Sequence, residues 1–584
     1  MHRFVAMSWN PASPAAVQRI EIWSDALGRA SGDWTCVLDT EGVRAFVPAG
    51  QALTTVSNGV DMSGVIIGRF FERGHESQGR VSSLAGPAAS RIARSMGADL
   101  IRAYWGQYVA IWRCNRSRET VILRDPSGAV GCSQIECEGV GLFFAHAPDV
   151  VDLTGMAVSF NWDRISAFLD QPYVTTVSTG LNEITDLLAG EKITFDGSGA
   201  ASRSWAWNAT AFAAEPDLRA VADLQADMGE TVSDCIAAIG RRHRTILVQL
   251  SGGLDSSVLL ALLRRSSPAN VYALHTQASG YEGFESDLAR MVAAKTDTRL
   301  IVRKLAPERV DLRAILDSPV LVRPDRQIMG KPGNDLIADV CEETGAEATL
   351  AGHGGDSLFL QRSAATNTVT DYLRLHGWTR EVWSLVYRAA MLEERPVWTI
   401  LREATRNSRH HTSTGKQASP HPWLDDAASL PPGKREQLVN IVALYNYYVL
   451  IGYGVSREAL NPYFSQPIVE LALSIPTYQF VREGYDRSLQ RRAFSDIVPS
   501  PVIRRKGKGF LNTYLLKVIE HNAPFVRELL HEGSLARSGL IEREAIDPML
   551  SPAELVSGAG LSTISGLVAA EAWINAWRRT GVVT

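Results

Sequence analysis

Thr245-Ile246-Leu247-Val248-Gln249 is a short apolar run with the character of a strand buried on both faces, and Val258–Arg265 has the character of a helix. Between them stands Leu250-Ser251-Gly252-Gly253-Leu254-Asp255-Ser256-Ser257. No other stretch constrains the fold as much, because strand, glycine-rich turn and helix in that order form the unit of a parallel α/β sheet. The first amides of the helix have no intrahelical partner and carry the positive end of its dipole. Two adjacent glycines let a large anion approach the backbone. With three hydroxyls and a carboxylate in the same few residues, the turn reads as a site for a polyphosphate and its metal. The plainer reading is an ordinary Ser/Gly helix cap.

The rest of the chain is organised around that unit. From about residue 215, helical stretches alternate with the short apolar strands Thr245–Leu250, Asn270–His275, Arg299–Val302 and Ala348–Gly352, with a helix at Glu285–Ala294. This alternation predicts a doubly wound parallel sheet, followed from about 365 by a mostly helical extension. Residues 1 to about 205 carry short β-type segments instead, among them Trp34–Leu38, Gly64–Gly68, Tyr108–Trp112 and Thr120–Leu123, and predict a two-sided sheet domain. The polar stretch Arg406–Pro420 lacks apolar periodicity and reads as a loop, either a solvated connection or a lid over a large substrate.

At 584 residues, more than one domain is expected, and 45% hydrophobic with 21% charged residues fits a water-soluble globular chain. A net charge of −4 gives no electrostatic case for a nucleic-acid partner. No apolar run is long enough to span a bilayer, and the N-terminus does not read as a signal peptide. Six scattered cysteines, with Cys132 and Cys137 the nearest pair, suggest free thiols in a reducing cytoplasm.

In this order of residues, SGGLDSS after a strand resembles the PP-loop of the ATP pyrophosphatases, in the version found in asparagine synthetases; no Gly-Lys-Ser/Thr follows it, so it is not a Walker A loop. The resemblance implies ATP and magnesium. The loop amides with Ser251, Gly252, Gly253, Ser256 and Ser257 would hold pyrophosphate, Asp255 would bind Mg2+, and a substrate carboxylate would become an acyl-adenylate that an amine attacks, releasing AMP. Leu350-Ala351-Gly352-His353-Gly354-Gly355-Asp356-Ser357-Leu358-Phe359 is similar to the family's second signature, SGxGxDELF. It implies Asp356 as the second metal aspartate, with Leu250 and Gly352 lining the nucleotide pocket. His353 stands where asparagine synthetases usually have Glu and β-lactam synthetases Tyr. Its imidazole suits deprotonation of an ammonium nucleophile, or it only supports the turn. Arg457–Pro476 and Ser488–Phe494 loosely resemble two further family segments. Pro501–Phe510 resembles the R-x-K-x-G-F motif with its essential lysine. The spacing is off by one, so the lysine is Lys506 or Lys508, with Lys508 favoured for its flanking glycines.

Trp105–Ile111 with Leu123-Arg124-Asp125-Pro126-Ser127-Gly128, and Gly190–Phe195 followed by Trp205, resemble the family's glutaminase domain. Read alone, Asp125–Gly128 is a hairpin turn. Glutamine-using members carry a nucleophilic cysteine at position 2 after Met1 is removed, whereas this sequence has His2 and its first cysteine is Cys36. The expected organisation is therefore a degenerate Ntn-hydrolase (glutaminase-like) β-sheet domain over 1–210 and a PP-loop ATP pyrophosphatase α/β domain with a helical extension over 211–584. With no ammonia drawn from glutamine, the amine comes from elsewhere. The opening Arg3–Pro11 and the Gly-His-Gly-Gly-Asp form of the second motif resemble lasso-peptide macrolactam synthetases. Such enzymes join an Asp or Glu side chain of a precursor peptide to its own N-terminal amine, and act with a leader-peptide-binding protein and a leader peptidase. β-Lactam or carbapenam synthetase, ammonia-using asparagine synthetase, and a silent PP-loop binding scaffold are the alternatives.

Overall fold

The computed structural model describes residues 2–29, 34–59, 61–74, 81–278, 284–361, 365–409, 421–445, 458–506, 512–556 and 559–583. The sheet built on Thr245–Gln249 has five parallel strands. That strand pairs on one side with Asn270–Ala278, which pairs with Arg299–Leu305. On its other side it pairs with Ala348–Ala351, which pairs with Glu458–Leu460. The chain thus leaves the central strand in one direction and later returns to its opposite side. Such a reversal of strand order opens a crevice at the carboxyl ends of two neighbouring strands, where doubly wound sheets bind their ligands. Gln249 and Ala351 are in register, so the turns that follow them, Leu250–Gly253 and Gly352–Gly354, enter the crevice side by side. The predicted strands are all present, some running further than expected. The helix after the first turn begins at Leu254 and ends at Ser266.

Residues before about 205 form two sheets, of six and seven strands, antiparallel except for the edge pair Leu53–Ser57 with Ser83–Ala85. Side-chain alternation explains how they stack. Phe4 and Ala6 join Val109 and Ile111 in one apolar layer between the sheets. Val5 and Met7 face the opposite way, against the helix Pro14–Arg29 through Ile20 and Trp23. Tyr108, Ala110 and Trp112 pack on the other side of the seven-stranded sheet, against Ile92 and Leu100 of the helices Pro87–Arg94 and Ala98–Ala103. The layers therefore run helix, sheet, sheet, helix.

The turn at Asp125–Gly128 is not a hairpin. The strand before it, Glu119–Arg124, belongs to the seven-stranded sheet, and the next strand, Ser133–Cys137, belongs to the six-stranded one. Local turn chemistry is correct, but the chain changes sheets there. Buried Asp125 accepts from the amides of Tyr108 at 3.0 Å and Ser127 at 2.7 Å. Arg124 donates to the carbonyls of Val130, Leu187 and Gly128 at 2.9, 2.6 and 2.5 Å. The Arg-Asp pair therefore closes a corner that would otherwise bury unpaired backbone carbonyls.

The apolar core does not stop where the sheets change character. One cluster joins Trp112 and Leu123 to Leu224, Val248 and Val258, and another joins Val5 and Phe144 to Trp573 and Trp577. Beyond 365 the described residues are mainly helical. Ala365–His376, Glu381–Glu393 and Val397–Arg409 form a unit with its own small core. Arg406–Arg409, expected in a loop, are the last turn of Val397–Arg409, and 410–420 lie outside the described residues.

Candidate active site

The first turn is shaped by close approach. Gly252 has φ +76°, and a Cβ there would lie 2.6 Å from the Glu285 carbonyl of the helix Phe284–Lys295. Only glycine satisfies both conditions. Gly253 precedes the helix without a side-chain cap. The Ser251 hydroxyl, on an exposed residue, lies 3.0 Å from that of Ser256. Ser256 and Ser257 are buried, and Ser257 donates to the Gly253 carbonyl at 2.7 Å. Of the predicted hydroxyls, Ser251 thus faces outward, while the other two brace the turn. Leu250 is buried beneath it. Its carbonyl lies 2.9 Å from Nδ1 of buried His275, whose Nε2 lies 3.0 Å from the Ser286 hydroxyl. His275 thereby ties the turn to the neighbouring strand and helix.

The second turn packs directly on the first. A Cβ on Gly352 would lie 2.6 Å from the Ser256 amide nitrogen, and one on Gly355 would lie 2.4 Å from Oδ1 of Asp255. Glycines at both positions allow the helix start and the short helix Gly355–Leu358 to touch. Asp356 is half-buried on that helix, and His353 is exposed at the turn.

Asp255 is enclosed by residues far away in sequence. Its Oδ2 accepts from Arg487 Nη1 at 3.0 Å and its Oδ1 from Gln490 Nε2 at 2.9 Å. Its backbone carbonyl accepts from the Tyr463 hydroxyl at 3.1 Å. Arg487 is buried and also pairs with Asp486, at 3.6 Å. Burial alone would lower the pKa of its guanidinium, but Asp255, Asp486 and Asp356 together raise it. Burial, with Asp255 next, pushes the Tyr463 phenol well up. Three carboxylates therefore surround one buried cation. Tyr463 and Gln490 fall within segments that loosely resemble the family, but nothing local gives them, or Arg487, a role. The clue is an Arg in a left-handed backbone conformation, φ 51°, which becomes visible only in three dimensions.

The basic run reaches the same place. Arg505 donates to the Gly252 carbonyl at 3.5 Å and pairs with Glu285. Lys506 is exposed, with Nζ 5.2 Å from the centre of the ring of Tyr485, the residue that precedes Asp486 and Arg487 in the chain. Lys508 lies outside the described residues.

These residues fit a nucleotide with its magnesium. Asp255 and Asp356 are hard oxygen donors on adjoining turns, and magnesium is usually held by one or two carboxylates with phosphate oxygens completing its shell. No group of three or more His, Cys, Asp or Glu suited to a metal occurs among the described residues, so an ion here would need the phosphates.

The asparagine synthase family matches residues 228–577, the stretch that contains both turns, Arg487 and the basic run. No curated protein matches the chain. Among solved structures, the U34-tRNA thiolase NcsA from Methanococcus maripaludis with its 4Fe-4S cluster aligns at 15% identity, covering 39% of this chain and 80% of that one, with a TM-score of 0.20. Glutamine phosphoribosylpyrophosphate amidotransferase from B. subtilis, complexed with ADP and GMP, aligns at 10% identity over 60% and 81% of the two chains, with a TM-score of 0.23. An allosteric regulatory enzyme of purine biosynthesis aligns at 8% identity over 53% and 76%, with a TM-score of 0.21. Scores this low carry no structural or functional argument. The family match spans more than half of the 584 residues and coincides with the crevice: the chain belongs to the asparagine synthase family.

Proposed function

We propose that this protein is an ATP-dependent, AMP-forming amide ligase that closes a macrolactam in a ribosomal peptide. An Asp or Glu side chain of the peptide is activated by adenylation, and the peptide's own N-terminal amine displaces AMP. The observation that carries the ligase reading is the contact of the two turns at the strand-order reversal, with Asp255 and Asp356 beside it. ATP, when bound, supplies the leaving groups that make the carboxylate reactive.

The chain's own residues have distinct tasks in this reading. Backbone amides of Ser251–Gly253 and the Ser251 hydroxyl hold phosphate oxygens, with Ser256 and Ser257 stabilising the turn and Leu250 and Gly352 lining the pocket. Asp255 and Asp356 hold magnesium. Arg487 holds and aims the Asp255 carboxylate through its bond at 3.0 Å. Lys508 or Lys506 offsets charge that develops at the reacting carbonyl. His353, exposed at the second turn, takes a proton from the incoming ammonium in this reading, the alternative being that it only supports the turn.

In this reading the amine is the substrate's own, residues 1–210 form a glutaminase-like unit with His2 at position 2, and residues 211–584 form the synthetase. A leader-peptide-binding protein and a leader peptidase are the implied partners. Incubation with ATP and a precursor peptide tests this reading. One AMP and one pyrophosphate should form per peptide, and the peptide should lose one water. AMP formation with a small amino acid and ammonia, but not with any peptide, would instead favour an asparagine synthetase. Ring closure of a small β-amino acid would favour a β-lactam synthetase. No pyrophosphate exchange with any carboxylate would leave a binding scaffold.

A further inference from the structure

The helices Glu381–Glu393 and Val397–Arg409 bury Val382, Leu385, Val386, Ala389, Ile400 and Ala404 in a small core with Ala365–His376. A helix with one buried face is normally polar on the other. Here the outer face is apolar as well. Trp378, Trp383, Tyr387, Met391 and Trp398 are between 52% and 71% exposed. Trp383, Tyr387 and Met391 follow one another at four-residue spacing, so they line one stripe of their helix. Trp383 and Trp398 meet edge to face with ring centres 6.4 Å apart, which joins the two helices into one surface. Scattered exposed apolar residues need no explanation, but a contiguous aromatic surface marks an interaction site. Aromatic residues, Met and Arg are also the types enriched in protein interfaces.

Its charge says what fits there. On Val397–Arg409 the exposed Arg402, Arg406 and Arg409 continue the stripe begun by Trp398. Nearby acids are largely engaged, Glu381 with Arg388, and Glu393 and Glu403 with Arg395. The surface is therefore an aromatic strip with a cationic border, on a chain whose net charge is −4.

We propose that this face docks a segment of a partner protein that carries apolar and acidic side chains. The apolar residues of that segment pack on Trp383, Tyr387, Met391 and Trp398, and its carboxylates pair with Arg402, Arg406 and Arg409, whose guanidinium groups suit bidentate carboxylate binding. Trp383 to Met391 spans about 12 Å of helix, so about two turns of a docked helix cover the strip. This proposal is independent of the ligase reading.

The test is selection of a random peptide library on the full-length chain, with counter-selection on the double variants Trp383→Ala/Trp398→Ala and Arg402→Glu/Arg406→Glu. Thermal melting of each variant should match wild type, since all four side chains lie at the surface. The expected result is enrichment of peptides that combine Asp or Glu with Trp, Phe or Leu. A synthetic copy of the best peptide should bind at least about tenfold more weakly to each variant, and more weakly as salt rises. Enrichment of basic peptides, or binding indifferent to both variants, would overturn the proposal. So would binding to phosphatidylglycerol vesicles or self-association of the chain that these variants abolish while peptide binding survives.

Discussion

Asp255 is the residue on which the site depends, and its neighbours define what its replacement does. Asp255→Ala and Asp356→Ala are each expected to reduce ATP–pyrophosphate exchange to background, because a magnesium ion held by two carboxylates cannot spare one. Exchange at wild-type rate in either variant would remove the metal assignment. Arg487→Met behaves differently. It leaves the buried Asp255 carboxylate without its Arg487 partner, and breaking a buried ion pair costs about 3–5 kcal/mol. The expected outcome is a lower urea midpoint as well as lost exchange, whereas Asp356→Ala should lose exchange with little change in stability. Among the basic residues, only one of Lys506→Ala and Lys508→Ala should lose most of its rate. Two mild losses in single-turnover kinetics would show that neither is the essential lysine.

At the scale of elements, the two turns set the demands. Gly252→Ala forces a left-handed residue, at about 1–2 kcal/mol, and pushes a carbon into the Glu285 carbonyl. Gly253→Ala meets only the Ser251 hydroxyl oxygen, at 3.3 Å. Thermal unfolding should therefore show Gly252→Ala clearly destabilised and Gly253→Ala close to wild type. The corner at Asp125 gives a pH signature. Burial raises this carboxyl to about 6, above its unfolded value. The folded state thus holds the proton more tightly, and the contribution to stability is fully present below about pH 4 and lost as pH rises through 6. A shift of about two units corresponds to roughly 3 kcal/mol. Unfolding free energies of wild type and Asp125→Asn, compared from pH 4 to 7, should diverge in the variant's favour by that order. Parallel curves would contradict it.

These same elements show what sequence can and cannot reveal. Thr245–Gln249, its turn and its helix were legible because each signal is local: apolar run, paired glycines, helical periodicity. The turn at Asp125 was legible as a turn and misread as a hairpin, because the choice of partner strand is not local. Asp255 was legible as a site residue, but its ligands Arg487 and Gln490 lie 232 and 235 residues away, in a segment that matches the family loosely. The reversal of strand order was likewise invisible, since it depends on which side of the sheet Ala348–Ala351 joins.

In the whole molecule, apolar clusters join the two-sheet half to the half that matches the asparagine synthase family, so the former is part of the folded unit. The aromatic face on Glu381–Arg409 lies on the helical extension, so the proposed partner would dock there. In the proposed reaction the activated carboxylate and the attacking amine belong to one peptide. It is tested most directly by mass spectrometry of the purified chain with ATP, magnesium and the peptide encoded beside its gene, in the absence of glutamine and ammonia. The expected product is lighter by one water, with an isopeptide link between the N-terminal amine and an Asp or Glu side chain, and one AMP per ring closed. An unchanged peptide together with AMP formation that depends on added ammonia would contradict this reading.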